Sequence, residues 1–163
     1  MAFILFISFV ILLRIGELIL SKSNEKWLLQ QGAIEYGQKH YLYIIILHVL
    51  FFVSLIIEYT QKQNIDFSVP FLICYFLLLA FKVWIIVSLG KYWNTKIYRI
   101  PNAPLIKKGL YRFIKHPNYM VVIIEIALIP FIFHLYFTAI LFTILNLVML
   151  AVRINVEDKA LKN

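Results

Sequence analysis

Charge is scarce in this sequence: 15% of its 163 residues are Asp, Glu, Lys or Arg, against about a quarter in ordinary soluble domains. Hydrophobic residues make up 63% of the chain and aromatics 17%, with a mean hydropathy of +0.86. A small soluble domain has too little interior to hide that much apolar surface, so a bilayer is the better solvent. The single cysteine, Cys74, excludes an intramolecular disulfide and a zinc finger. The five glycines, at positions 16, 32, 37, 90 and 109, never fall into a GxGxxG or P-loop pattern, which excludes those nucleotide motifs. The four histidines, at 40, 48, 116 and 134, lack HExxH spacing, so no metal site is expected. The first basic residue is Arg14 and no small-x-small site follows the opening apolar run, so a cleaved secretory leader is not expected.

About 20 apolar residues cross a hydrocarbon core of roughly 30 Å. Apolar runs over 2–20, 42–57 and 69–89 meet or approach that length. The run from 119 to 152 is too long for one helix and contains Pro130, which interrupts the intrahelical ladder. It reads as a hairpin of 119–133 and 136–152 whose turn carries no formal charge. The expected fold is an all-α integral membrane protein of one domain over 1–163. It has five transmembrane helices, the last two a Pro-broken hairpin, and a cytoplasmic cap from the loop 90–117.

Thirteen of the sixteen basic residues fall in three segments: Lys22, Lys26 and Lys39; then seven between Lys91 and Lys115; then Arg153, Lys159 and Lys162. Only Lys62 sits on the other side. The positive-inside rule therefore predicts the N-terminus outside and all three segments in the cytoplasm. A basic face against a membrane attracts anionic lipid, and no nucleic-acid partner is expected.

Ionisable residues within spans usually have a partner or a task. Arg14 and Glu17 are three apart, share a helix face and can pair. Lys82 and Glu125 either pair across the bundle or line a polar cavity. The 90–117 loop holds Tyr92, Trp93, Tyr98, Pro101, Pro104, Gly109 and Tyr111. It reads either as a folded cap over the bundle or as a headgroup belt. The loop ends in His116-Pro117-Asn118-Tyr119, where a proline suits a helix start. Arg153 and Glu157, four apart on one face, extend the last helix out of the membrane. Because both ends of the hairpin emerge on one side, His116–Tyr119 and Arg153–Glu157 should lie close together.

Gly109-Leu-Tyr-Arg-Phe-Ile-Lys-His-Pro-Asn-Tyr119, a Pro-broken apolar hairpin and then Arg153-Ile-x-x-Glu157-Asp-x-Ala-Leu together resemble the isoprenylcysteine carboxyl methyltransferase family. The opening Arg14-x-x-Glu17-Leu18 with Ser21, Asn24 and Trp27, followed by Gly32-Ala33-x-Glu35-x-Gly37-x-x-His40-Tyr41, is similar to its bacterial branch, which includes alkylpyrone O-methyltransferases. The resemblance implies a membrane methyltransferase using S-adenosylmethionine. It implies cofactor contacts from Ala103, Pro104, Leu105, Ile106, Tyr111, His116, Pro117, Asn118, Tyr119 and Glu157, and a substrate-side, catalytic Arg153. The sequence departs from the family pattern at Lys115, where an arginine is usual, and at Val121, where a glycine is usual. The implied acceptor is a carboxylate or an acidic enol or phenol oxygen on a lipophilic small molecule or prenylated substrate. Membrane lipids would be the surrounding partners. Two other readings stand beside it: an NADPH-dependent sterol-reductase-like enzyme, and a small non-enzymatic transporter or lipid-binding bundle built on Arg14, Glu17, Lys82 and Glu125.

Overall fold

A computed structural model describes residues 1–62, 66–106 and 108–161. Lys107 and Lys162, counted above among the basic residues, lie outside the described residues. Five helices dominate: α1 (Ala2–Gln30), α2 (Gln38–Gln61), α3 (Val69–Leu89), α4 (Pro117–Ile132) and α5 (Tyr136–Ala160). Two three-residue strands, β1 (Ile34–Tyr36) and β2 (Ile97–Arg99), form an antiparallel ribbon with Ile34 opposite Arg99 and Tyr36 opposite Ile97. Among the described residues, four helices are long and apolar enough to cross a membrane: α1, α2, α5, and α3 with the short turn that follows it. The fifth, α4, has 16 residues and measures about 24 Å by helix rise.

Residues such as Leu5, Leu12, Val49, Val53, Phe137, Leu141 and Val148 lie exposed on the outside of the bundle. A helix apolar on every side needs hydrocarbon around it. Inside, Phe3, Ile7 and Val10 of α1 meet Phe51 and Leu55 of α2, Tyr75 of α3, and Ile126 and Ile129 of α4. Phe3 stacks on Tyr59 and meets Phe133 edge-on, at centroid distances of 3.7 and 5.0 Å.

The helix ends follow from a few residues. At the end of α1, Gly32 takes φ +78°. Its N–H and that of Ala33 bond back to Leu29 and Leu28, 3.0 Å each, which satisfies the last carbonyls. Gly37, also at positive φ, starts α2. A Cβ there would stand 3.2 Å from Val156 of α5, so the missing side chain lets the two helices close up. Pro117 occupies the first turn of α4. Pro130 lies inside the last turn of α4. It withholds one N–H, and the helix stops two residues later. The turn is Phe133-His134-Leu135, closed by bonds from the His134 and Leu135 N–H groups to Phe131 and Pro130.

Three helices outrun the apolar runs. α1 continues ten residues past Leu20, α2 begins at Gln38, and α5 continues eight residues past Val152. These polar extensions carry the side chains that meet over one end of the bundle.

Candidate functional site

The segment between α3 and α4 is anchored by the extension of α1. Ser21 donates to the Asn94 side chain at 2.9 Å and the Asn94 amide returns a bond to the Ser21 carbonyl at 2.9 Å. The Asn24 amide donates to the Trp93 carbonyl at 2.7 Å. Further on, Lys96 pairs with Glu25 at 2.9 Å and with Glu35 at 3.6 Å. Burial tends to lower the Lys96 pKa, but the bonds to these acids outweigh it and raise it. The Tyr98 hydroxyl lies 2.7 Å from Glu25 and 3.0 Å from Glu35. Burial and those two carboxylates push its pKa well above the tyrosine range. At the far end Gly109 takes φ +54°, and a Cβ there would collide with the Ser88 side chain of α3. Glycine thus seats the segment on α3.

Beneath this segment lies a cavity of about 420 Å³. Ala103, Pro104, Leu105 and Ile106 form one wall, while Tyr111, His116, Asn118 and Tyr119 line the approach to α4. Arg153 and Glu157 close it from α5. Nine of the ten residues implied as cofactor contacts thus line one space. The tenth, Pro117, is buried at the start of α4 and is not among the lining residues.

Tyr119 is the hinge of the polar side. Its hydroxyl accepts a bond from Arg153 Nε at 2.9 Å and donates to Glu157. The Arg153 guanidinium lies 5.4 Å from the Tyr119 ring centroid, within cation–π range, and also donates to the Thr95 carbonyl. His116 stacks on Tyr119, with centroids 5.4 Å apart and planes 15° from parallel. Its Nε2 is 3.0 Å from Asp158 and its Nδ1 is 3.6 Å from Glu157. The interaction with Glu157, against partial burial, raises the His116 pKa and favours the imidazolium. Burial, with the Glu157 charge, raises that of Tyr111. Lys115 reaches Asp158 at 2.7 Å. Its single charge is used in a one-point contact that does not need an arginine fork.

Arg153 also borders a second, much smaller cavity of about 10 Å³, enclosed by Gly37, His40 and Tyr41 on one side and Lys96 and Val156 on the other. That volume holds one water-sized atom. Just beyond it along the same seam, α2 and α5 leave an open apolar groove of about 820 Å³ between Leu47, Leu50 and Val53 and Leu141, Leu145 and Met149.

Arg14, Glu17, Lys82 and Glu125 form one network inside the bundle. Glu125 accepts from Arg14 at 2.7 Å and lies 3.1 Å from Lys82 through both oxygens. Glu17 accepts from Arg14 at 3.0 Å and pairs with Lys82. Two cations and two anions balance, and none of the four lines the cavities described above. Of the two readings of Lys82 and Glu125, the structure gives the pair.

Sequence reasoning named Trp93 only as a loop residue and did not single out Arg99; both line the cavity of about 420 Å³. Their Nε1 and Nε atoms are buried and have no hydrogen-bond partner among the described residues. The signal available was the run of basic residues between 90 and 117 without a single acid.

An apolar helical bundle with four helices long and apolar enough to cross a membrane, among the described residues, defines a multi-pass membrane protein. Its residues 71–163 match the isoprenylcysteine carboxyl methyltransferase (ICMT) family, and the chain belongs to that family, a family of membrane methyltransferases. It is 46% identical over 162 residues to the uncharacterized protein YpbQ of Bacillus subtilis (strain 168), covering 98% of this chain and 96% of that protein. It is also 32% identical over 158 residues to an uncharacterized protein of Haemophilus influenzae (strain ATCC 51907 / DSM 11121 / KW20 / Rd), covering 94% and 91% of the two chains. No solved structure matches it.

Proposed function

We propose that this chain is an S-adenosylmethionine-dependent O-methyltransferase acting on a carboxylate or an acidic enol or phenol oxygen of a lipophilic acceptor. The observation that carries the reading is the cavity of about 420 Å³ in which the His116–Tyr119 corner meets Arg153 and Glu157. That volume lies within the usual range of small-molecule sites. The residues fit the cofactor's charges: an acid for its ammonium, aromatic faces beside a sulfonium, and an apolar wall at 103–106 for its nucleoside. Bound there, S-adenosylmethionine would supply an electrophilic methyl group on sulfur.

The work left to the protein is alignment and electrostatics, because methyl transfer by in-line displacement depends on bringing oxygen, methyl and sulfur into line. In this reading Glu157 holds the ammonium and Tyr119 fixes the orientation of the Glu157 carboxylate. Arg153, which lines both cavities, holds the acceptor oxygen through Nη1, the guanidinium nitrogen without a hydrogen bond among the described residues. The acceptor's apolar tail lies along the α2–α5 groove, continuous with the hydrocarbon. Substrate and cofactor thereby approach from opposite sides of Arg153, one from lipid and one from water.

The whole chain acts as one domain. α4 is the fifth span, and the basic 90–117 segment and the C-terminal basic residues face the cytoplasm, where the cofactor is available. Calorimetric titration of the purified protein in detergent with S-adenosylmethionine, with NADPH as the control and with chelator present, tests the reading. Saturable binding of the first and none of the second is expected. Binding of NADPH alone overturns the reading, and binding of the first that vanishes with chelator shows that it requires a metal.

A further inference from the structure

From the same cavity, we infer that Arg99 is the residue that binds the cofactor's carboxylate, opposite Glu157, so that the two side chains clasp the amino-acid end of the molecule between them. The inference rests on the methyltransferase reading and extends it to a residue that the sequence motifs do not include.

The cations around the cavity are not equivalent. Lys96 is engaged by Glu25 and Glu35, Lys115 by Asp158, and His116 by Glu157 and Asp158. Arg153 is bound to Tyr119 and the Thr95 carbonyl. Arg112, at the same cavity, also makes no ion pair among the described residues, but it is exposed to solvent. Arg99 differs: it is partly buried, it makes no ion pair among the described residues, and its buried Nε has no hydrogen-bond partner. A partly buried guanidinium without an anion is costly. Such a donor is a vacancy for an acceptor that the protein does not itself provide. The Nε1 of Trp93, a lining residue of the same cavity, is likewise buried and without a partner among the described residues.

Position supports the assignment. Along β2 the side chains alternate between faces. Tyr98 turns to Glu25 and Glu35, so Ile97 and Arg99 share the other face. Ile97 lies beside Gly37, which abuts Val156 of α5. Arg99 therefore faces α5, whose Glu157, with Ala160 and Leu161, lines the same cavity. Glu157 and Arg99 are opposite charges that share a cavity without forming an ion pair. A zwitterion, with its ammonium toward Glu157 and its carboxylate toward Arg99, fits between them. His116 is the poorer carboxylate partner, because it already stands between two acids that would repel a third.

The test compares two ligands by calorimetry in detergent: S-adenosylhomocysteine and its decarboxylated counterpart, which keeps the nucleoside, thioether and ammonium. Wild type should bind the complete ligand about 10- to 100-fold more tightly, the scale of a charged, bidentate bond. R99Q should bring that ratio close to one while leaving affinity for the decarboxylated ligand unchanged, which also shows that the variant is folded. R99K, with charge but no fork, should recover part of the ratio. E157Q should weaken both ligands and leave the ratio standing. If R99Q weakens both ligands equally, or wild type does not distinguish them, the Arg99 assignment fails while cofactor binding stands. If wild type binds neither ligand, the methyltransferase reading fails and the Arg99 assignment with it.

Discussion

Replacing Glu157 by Gln should separate its role from that of Arg153, four residues earlier on the same helix. Glu157 accepts the Tyr119 hydroxyl and lies 3.6 Å from His116 Nδ1; its side chain is 26% exposed. Loss of its charge forfeits one charge-assisted bond to the cofactor's ammonium, worth about 1.5–3 kcal/mol. The cofactor Kd should therefore rise by roughly 10- to 150-fold. Arg153→Ala should change that Kd less than about threefold but lower turnover by about 10²–10³, the scale of one aligned electrostatic contact. Tyr119→Phe removes the hydroxyl that joins them, so it should impair both quantities, each less than the corresponding single change. Because the three share one network, combining E157Q with R153A should give less than the product of their separate effects. Cofactor Kd by calorimetry and single-turnover methyl transfer supply the two readouts. Small, equal losses in both quantities for E157Q and R153A would mean an ordinary surface pair and would refute the division of roles.

Other consequences concern the frame around the site. Glu125→Gln leaves Arg14 and Lys82 with an incomplete set of anions in the bundle interior. It should destabilise the detergent-solubilised protein by about 3–5 kcal/mol, while the pair Lys82→Met with Glu125→Leu should cost less; equal melting temperatures for E125Q and wild type would contradict a structural network. Gly109→Ala puts a Cβ at positive φ and into the Ser88 side chain, so it should destabilise by about 1–2 kcal/mol, with Ser88→Ala recovering part of the loss in a melting series. The raised His116 pKa makes its interaction with Glu157 and Asp158 fully stabilising below about pH 6.5, the unperturbed value, and lost as pH rises through the folded value. Melting temperature should therefore fall over that window in wild type and be flatter in His116→Gln; parallel curves would exclude His116 as the source.

Hydrophobic runs locate the helices because hydrocarbon thickness dictates their length. They understate α1, α2 and α5, because the polar turns beyond the hydrocarbon are held by tertiary bonds such as Asn24 to Trp93 rather than by apolar periodicity. Arg14 and Glu17 are visible as a pair from spacing alone. Their union with Lys82 and Glu125 depends on how α1, α3 and α4 meet, which no local pattern encodes. Pro130 marks the approach of the hairpin turn, though a proline in the last turn still leaves the helix intact for two more residues. The β1–β2 ribbon is too short to show strand alternation, so the placement of Arg99 at the cavity was invisible. The His116–Tyr119 and Arg153–Glu157 motifs were legible because two adjacent helices return them to the same end of the bundle.

The central claim is methyl transfer to an acidic oxygen of a lipophilic acceptor. The direct measurement incubates purified protein with methyl-labelled S-adenosylmethionine and a lipid extract of the source cells, then partitions the label into organic solvent. The account predicts extractable label that requires the protein and is lost with Arg153→Ala. Alkali releases the label as methanol when the acceptor is a carboxylate and leaves it in place when the product is a phenol ether. No protein-dependent label in the organic phase, from a protein that is folded and supplied with its own lipids, would contradict the account.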